Sequence, residues 1–308
     1  MGKNKKAKKA NKVIELPFVS VCTPTYNRRP FIEQMLRCFD HQDYPKDKLE
    51  WIIIDDGTDP IEELVTHIPQ VKYFYYKDKM SLGKKRNLLH EKSKGDILVY
   101  MDDDDYYPSE RISHAVYMLQ KDKKALCSGC SEIYTYFRHI KKMYQFGPYS
   151  PTHATAGTFA FKRELLDQTS YEDEAALAEE KHFLKNYTIP FVQLDPYRTI
   201  LVISHVHNTF DKTELLETQS EKYCKVSDVD VSRFFKNDNI SQKFFLEEVN
   251  DKLQTYEPGR PEMKQDVVTQ YTSMKAKRAK EQEQFIQNQA NAGPLMIEHE
   301  GKHVELNN

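Results

Sequence analysis

Four consecutive aspartates, Asp102–Asp105, directly follow the apolar run Ile97–Met101. Adjacent carboxylates repel one another strongly unless a cation lies among them. A hard divalent ion with oxygen ligands, Mg2+ or Mn2+, would relieve that repulsion and could bridge to phosphate groups. The alternative interpretation is an acidic surface turn ahead of the next helix. Because an apolar strand leads straight into the run, metal binding is favoured over that alternative.

Two further segments repeat this arrangement of an apolar run followed by polar side chains. Asp55–Gly57 follows Trp51–Ile54, and Pro24–Arg28 follows Val19–Cys22. The carboxyl ends of parallel strands meet at one edge of an open α/β sheet, where ligands bind. An aromatic ring, a carboxylate that accepts from a base N–H and a metal ion together suit a nucleoside diphosphate. The phosphate loops GxGxxG and GxxxxGK[ST] are both missing from the sequence, so metal and cations must hold the diphosphate.

The elements that must position these side chains alternate between strand and helix from Leu16 onward. Helices are predicted to open after Ser81 and at Pro108, each next to a predicted strand. Unbroken apolar runs such as Ile52–Ile54 suit strands covered on both faces of a parallel sheet. The fold class is therefore α/β. Further along the chain we expect added strands within 125–161, a helical segment over 164–186, and strands near 191–194 and 200–205.

Composition narrows the class of protein. The chain has 308 residues, 39% of them hydrophobic and 30% charged, with a net charge of −2. That charge does not fit a general nucleic-acid binder, and we expect no sequence-specific nucleic-acid partner. No apolar run is long enough for a membrane span, so we expect a soluble, cytoplasmic protein of viral or bacterial type. Cys127 and Cys130 have metal-like spacing, but a lone pair of this kind favours buried, reduced thiols.

Five segments, taken together, resemble family 2 glycosyltransferases with the GT-A fold. They occur in the order and at the spacing of that family, and the resemblance covers roughly residues 17–210. The segments are Val19–Arg28, Trp51–Gly57, Gly83–Leu89, Gly95–Asp105 and Pro108–Arg111.

The resemblance implies roles for individual residues on the donor side. Tyr26 matches the aromatic residue that stacks on uracil, and Pro24 lies at the backbone position near the base. Asp56 matches the carboxylate that accepts from the uracil ring. Arg86 matches the basic residue on the uracil and diphosphate side.

The family pattern within the aspartate run is D-x-D, in which the first carboxylate approaches the ribose and the last binds the metal. This implies Asp102 or Asp103 for the ribose and Asp104 for the metal, in a register uncertain by one residue. His205 and His207 follow a predicted strand, and on extended backbone only one of them can face the crevice. A late histidine completes the metal shell in related enzymes, and we assign that role to His207. An imidazole ligand favours Mn2+ over Mg2+, whereas the alternative for His207 is a hydrogen-bonded core or surface histidine.

The family also carries an acidic pair beside the acceptor, which Glu179-Glu180 matches. Glu180 is then the candidate general base, although the family usually has aspartate there. Glu172-Asp173 is the second candidate pair, and a favourable helix N-terminus is the purely structural alternative for Glu179-Glu180.

The resemblance also sets the expected domains and function. We expect a disordered basic tail over 1–16, a GT-A domain over 17–210 and a mostly helical extension over 211–308, whose helices could join a second copy. The expected activity is inverting, metal-dependent transfer of a sugar from a nucleotide-sugar, a UDP-sugar, to a glycan, lipid or protein hydroxyl. The alternatives are a nucleotidyltransferase of sugar-nucleotide synthesis and a non-catalytic nucleotide-binding scaffold.

Overall fold

The computed structural model describes residues 15–177, 180–208, 212–218, 220–291, 296–299 and 302–305. The basic tail predicted for 1–16 lies almost entirely outside these ranges, as does Glu179. The described strands are β1 Val19–Thr25, β2 Leu49–Asp55, β3 Val71–Tyr75, β4 Ile97–Tyr100, β5 Cys127–Gly129, β6 Ile133–Phe137, β7 Lys142–Phe146, β8 Ala160–Lys162, β9 Phe191–Gln193, β10 Val202–Ser204, β11 Cys224–Val226, β12 Met296–His299 and β13 Lys302–Glu305.

Seven strands form the largest sheet, in the order β3-β2-β1-β4-β8-β5-β9. Strands β3, β2, β1 and β4 run parallel to one another, whereas β8 is antiparallel to both of its neighbours. The predicted α/β fold class is thereby confirmed. The chain moves outward from β1 through β2 to β3 and then returns to the other side of β1 for β4. This reversal opens a crevice beyond the carboxyl ends of β1 and β4, where α/β sheets bind ligands.

A smaller sheet has the order β10-β6-β7-β11, and its strands β6 and β7 lie within 125–161, where the sequence predicts added strands. Apart from four, the described α-helices have six residues or fewer. The described α-helices are α1 Ile32–Asp40, α2 Glu62–Val65, α3 Leu82–Lys92, α4 Arg111–Lys121, α5 Glu180–Phe183, α6 Glu214–Thr218, α7 Ser232–Phe235, α8 Asn239–Lys243, α9 Val249–Gln254 and α10 Gln265–Asn291.

The helix predicted after Ser81 is present, and Ser81 caps it by accepting a hydrogen bond from the backbone N–H of Lys84 at 3.3 Å. The helical segment expected over 164–186 is wrong in extent. Among the described residues of this range, the structure has a 3-10 helix at Arg163–Asp167 and the single turn of α5. The residues between them pack against α3, where the backbone N–H of Gly83 donates to the carbonyl of Ala175 at 2.8 Å. That tertiary contact replaces the intrahelical bonds.

The hydrophobic core lies on both faces of the large sheet. On one face the Trp51 ring stacks on Phe39 at 4.3 Å between centroids, and α4 covers the neighbouring strands. The extension contributes to this cluster through side chains after residue 230. They are Phe234, Phe235, Phe244, Phe245, Val249 and Leu253. Cys127 and Cys130 are buried free thiols, as expected. Within the described ranges, no helix is both long and apolar enough to cross a membrane.

Candidate functional site

A cavity of about 140 Å3 lies at the carboxyl edge of β1 and β4. Its wall combines an aromatic ring, cations, carboxylates and residues from the extension. The lining residues are Pro24, Thr25, Tyr26, Arg28, Lys79, Met80, Leu82, Lys85, Arg86, Asp102, Asp103, Asp104, Ala176, Lys264, Asp266 and Val267. The structure therefore brings six of the candidate donor and metal residues into one cavity, since Pro24, Tyr26, Arg86 and Asp102–Asp104 all line it.

Asp56 lies immediately behind the cavity wall. One oxygen of its buried carboxylate accepts from Nζ of Lys85 at 2.7 Å, and the other accepts from the backbone N–H of Met80 at 2.6 Å. The neighbouring carboxylate, Asp55, stabilises the turn after β2. It accepts hydrogen bonds from the backbone N–H of Gly57 and from the Tyr73 hydroxyl. Burial raises the pKa of Asp55, with Tyr73 opposing.

Tyr26 presents a half-buried ring surrounded by ammonium groups. Nζ of Lys79 lies 5.3 Å from the ring centroid, Nζ of Lys85 lies 5.6 Å away, and Nζ of Lys264 lies 6.0 Å away. Burial and the nearby Asp56 raise the pKa of the Tyr26 phenol. An aromatic face ringed by cations can accept a planar base beside an anionic phosphate chain.

Arg86 projects from α3 and is 2% exposed. Its guanidinium lies over the Tyr100 ring at 4.4 Å, and Nη2 is 3.8 Å from Oδ1 of Asp102. The backbone N–H of Asp102 donates to the Tyr107 hydroxyl at 2.7 Å, which orients the start of the aspartate run. Arg86 is thus held between an aromatic ring and a carboxylate at the cavity wall.

The middle of the aspartate run is paired with Arg28. Nε of Arg28 lies 3.5 Å from Oδ1 of Asp103, and Nη2 lies 3.3 Å from Oδ2 of Asp104. Burial raises the pKa of Asp103 to about 7, with Arg28 opposing. Burial also opposes ionisation of Asp104, but Arg28 and a hydrogen bond with His205 outweigh it and lower the pKa of Asp104. Asp104 is therefore the carboxylate of this pair that stays ionised.

Asp105 is not among the described residues that line the cavity, and it joins two parts of the fold. Its Oδ1 accepts from the backbone N–H of Ile203 at 2.9 Å, next to the bridge between Tyr106 and Leu201. Burial raises the pKa of Asp105 to about 8. Asp105 therefore anchors β10 beside the aspartate run, and β10 leads into the two histidines.

The two histidines take different positions. Nε2 of the fully buried His205 is 3.3 Å from Oδ2 of Asp104, and the Asn208 side chain also bonds this ring. His207 is 1% exposed and stacks on Tyr256 at 6.2 Å between centroids. Neither ring nitrogen of His207 has a hydrogen-bond partner in the part of the chain that the structure describes.

The donor atoms here suit a divalent ion, although they are not yet gathered around one point. Asp104 supplies hard oxygen and His207 supplies two buried, unpaired nitrogens. In the described ranges, no three histidine, cysteine or acidic side chains are close enough to share one ion. A metal at Asp104 would therefore draw further ligands from the phosphates of a donor, and Arg28, which is paired with this carboxylate, would have to move away from it.

Glu180 begins the short helix α5 and is half-buried. Glu180 is not among the described residues that line the cavity, whereas Ala176 from the same segment does line it. The competing pair is engaged elsewhere, since Glu172 lies 3.5 Å from Nδ1 of His182 and Asp173 accepts from Asn87 at 2.7 Å.

Sequence reasoning missed four basic residues that line the cavity, Arg28, Lys85, Lys79 and Lys264. The first two lie inside the segments that resemble the glycosyltransferase family, and that position could have identified them as site residues. Lys264 follows a proline-rich stretch and precedes a polar helix, and no local pattern distinguishes it from other lysines.

Residues 20–176 match the model of glycosyl transferase family 2. Poly(ribitol-phosphate) beta-N-acetylglucosaminyltransferase TarS of Staphylococcus aureus is 29% identical over 109 residues, which are 31% of this chain and 18% of TarS. Probable glycosyltransferase YdaM of Bacillus subtilis is 27% identical over 190 residues, 54% of this chain and 45% of YdaM. This chain thus aligns with less than half the length of either relative.

Among solved structures, mannosyltransferase PcManGT from Pyrobaculum calidifontis, in complex with GDP-Man and Mn2+, superposes with a TM-score of 0.50. It is 21% identical, and the superposition covers 61% of this chain and 57% of PcManGT. At that identity the likeness concerns the fold alone. The family model matches about half of the chain and spans β1 to β4 with the aspartate run, so the expected resemblance is confirmed and the chain belongs to glycosyl transferase family 2.

Proposed function

We propose that this protein is an inverting, metal-dependent glycosyltransferase that uses a UDP-sugar donor and a hydroxyl acceptor. The observation that carries the proposal is the single cavity shared by Tyr26, Arg86 and Asp102–Asp104 at the point where the strand order reverses. A stacking surface, a fixed guanidinium and adjacent carboxylates are the groups that a nucleotide-sugar requires. The names of TarS and YdaM, both glycosyltransferases, point the same way.

On the donor side, Tyr26 stacks on the base and Pro24 borders it. Asp56 is the proposed acceptor for the uracil N–H. Because its carboxylate lies behind the cavity wall, bonded to Lys85 and to Met80 N, the base reaches it only when that wall rearranges. Asp102 or Asp103 meets the ribose, and Arg86 meets the diphosphate. Asp104 and His207 hold Mn2+ or Mg2+, which when bound offsets the charge on the leaving diphosphate.

On the acceptor side, Glu180 accepts the hydroxyl proton while the acceptor oxygen forms its bond to C1 of the sugar. The bond between C1 and the diphosphate oxygen breaks, and its electron pair leaves with UDP. Attack from the face opposite the diphosphate inverts the configuration at C1. Glu180 begins α5, and the same segment contributes Ala176 to the cavity wall.

A donor screen that measures free nucleoside diphosphate tests the function. The full chain with Mn2+ is expected to release UDP from a UDP-sugar, and adding EDTA is expected to abolish release. GDP-mannose serves as the competing donor because PcManGT binds it. Release of pyrophosphate from UTP and a sugar 1-phosphate, without release of UDP from a UDP-sugar, would favour a nucleotidyltransferase. UDP binding without turnover of any donor would favour a non-catalytic scaffold.

The assignment of the base has its own test. Glu180→Gln is expected to leave UDP affinity within about twofold and to lower transfer by about a hundredfold or more, the usual contribution of a general base. Glu172→Gln is the matched variant, because it removes the same charge from the competing pair. Near wild-type transfer by the Glu180→Gln variant would contradict the assignment, and loss of transfer in the Glu172→Gln variant alone would move the role to Glu172.

A further inference from the structure

The segment around Lys264 closes one side of the cavity. Lys264, Asp266 and Val267 line the same space as Tyr26 and the aspartate run. Lys264 is 5% exposed and Val267 is 7% exposed, so both lie inside the wall. These residues come after residue 176, where the match to the family model ends. Part of the cavity is therefore built by a portion of the chain that the family model does not describe.

Specific contacts fix this segment to one rim of the cavity. The Tyr256 hydroxyl donates to Oδ2 of Asp59 at 2.9 Å, and Nη1 of Arg28 donates to the carbonyl of Gly259 at 3.4 Å. Gly259 has φ of +82°, and a Cβ there would lie 2.3 Å from the carbonyl oxygen of Asn27. Only glycine permits both this backbone conformation and this approach.

Contacts on the opposite rim hold the start of α10. Nζ of Lys79 lies 2.5 Å from Oδ1 of Asp266, and the backbone N–H of Ala176 donates to Oε1 of Gln270 at 2.8 Å. Because both rims are bonded, the position of Lys264 between them is set by the fold on both sides.

The surroundings of Lys264 define which part of a ligand it would meet. Its side-chain nitrogen lies 6.0 Å from the Tyr26 ring centroid. Burial and the charge of Arg28 lower the pKa of Lys264, with Asp104 and Asp103 opposing. A base stacked on Tyr26 and a metal at Asp104 would bring the phosphates between those two points.

We propose that Lys264 binds the diphosphate of the nucleotide donor, so that the extension completes the donor site; this inference rests on the function proposed above. Lysine is a common phosphate ligand, and because the sequence contains no glycine-rich phosphate loop, cationic side chains must take a larger part in holding the diphosphate. The negative charge of the phosphates would favour the charged form of the buried ammonium.

Calorimetry on the full chain with Mn2+ tests the inference, with UDP, GDP and uridine as probes. Lys264→Met is expected to weaken UDP binding by about tenfold or more, because a hydrogen bond to a charged group is lost. Uridine carries no phosphate, so its affinity should change by less than about twofold. Lys264→Arg should recover most of the UDP affinity. Lys277→Met is the matched control, because Lys277 lies on α10, the helix that begins directly after Lys264, and its side chain is 79% exposed.

The outcomes separate the inference from the proposed function. Equal UDP affinity in the wild type and the Lys264→Met variant would overturn the inference alone. Tighter UDP binding by that variant would also overturn it, because Lys264 would then obstruct the donor. If Lys264→Met does not fold, Lys264→Gln replaces it under the same criteria. A wild-type protein that binds neither UDP nor GDP would overturn both the inference and the proposed function.

Discussion

Replacing Gly83 with alanine is expected to destabilise the protein even though alanine is the better helix former. Gly83 lies in the first turn of α3, and a Cβ there would be 2.0 Å from the carbonyl oxygen of Glu172. To reach an ordinary contact of 3.4 Å, the Glu172 backbone would have to retreat by about 1.4 Å.

That movement would break contacts between α3 and the segment that leads to Ala176. Gly83 N donates to the carbonyl of Ala175 at 2.8 Å, and Asn87 donates to the carbonyl of Tyr171 at 2.9 Å. Losing two such bonds costs about 2 kcal/mol, and overpacking adds at least about 1 kcal/mol. Alanine returns about 1 kcal/mol through helix propensity. The expected net loss in free energy of unfolding is about 2 kcal/mol.

Urea unfolding followed by tryptophan fluorescence measures this loss, since Trp51 is the single tryptophan and is fully buried. Lys84→Ala is the matched control, because it introduces alanine at the adjacent, exposed position of the same helix turn. We expect the control to be within about 0.5 kcal/mol of the wild type. A Gly83→Ala protein as stable as the wild type, or more stable, would refute the packing argument, because helix propensity would then outweigh the contact with Glu172.

Three other predictions address the site and the core. Asp105→Asn should keep Mn2+-dependent UDP binding in calorimetry, because the amide oxygen can still accept from Ile203 N. Asp104→Asn should lose that binding. The opposite pattern would assign the metal ligand to Asp105. Tyr26→Ala should weaken UDP binding by about tenfold through lost stacking, whereas Tyr26→Phe should not, and equal affinities would exclude stacking. Burial lowers the pKa of His90 from its ordinary value of 6.5 to about 3. Below pH 6.5 the His90 side chain therefore binds a proton in the unfolded chain but not in the folded chain. His90 alone should contribute a fall in stability of up to about 1.4 kcal/mol per pH unit on acidification between pH 6.5 and 5. His90→Gln should make the total fall shallower in urea unfolding, and an unchanged slope would contradict the assignment to His90.

The confirmed part of the sequence interpretation rests on local patterns. Apolar runs such as Ile52–Ile54 correctly predict strands covered on both faces, and Ser81 correctly marks the start of a helix. The helix predicted over 164–186 was wrong in extent, because contacts with α3 replaced the helix that the residues of this segment favour by themselves. Local patterns succeed where neighbouring residues decide the backbone, and fail where a distant element does.

The individual roles within the acidic and histidine runs required the folded chain. Asp102–Asp105 are indistinguishable by residue type, yet three of them line the cavity and Asp105 bonds to β10. His205 lies against Asp104, whereas His207 lies against Tyr256 from the extension. The roles that the family resemblance assigns to Glu180 and His207 stay predictions.

The sequence by itself determined the α/β fold class, the family and the edge of the sheet at which the candidate residues meet. Those features follow from residue periodicity and from short segments whose residue types and spacing indicate their chemistry. Only the tertiary structure decided which oxygen meets which cation, and that Lys264 closes the cavity from a region far along the chain. Such contacts depend on how distant elements approach one another, and periodicity within any one element carries no information about that approach.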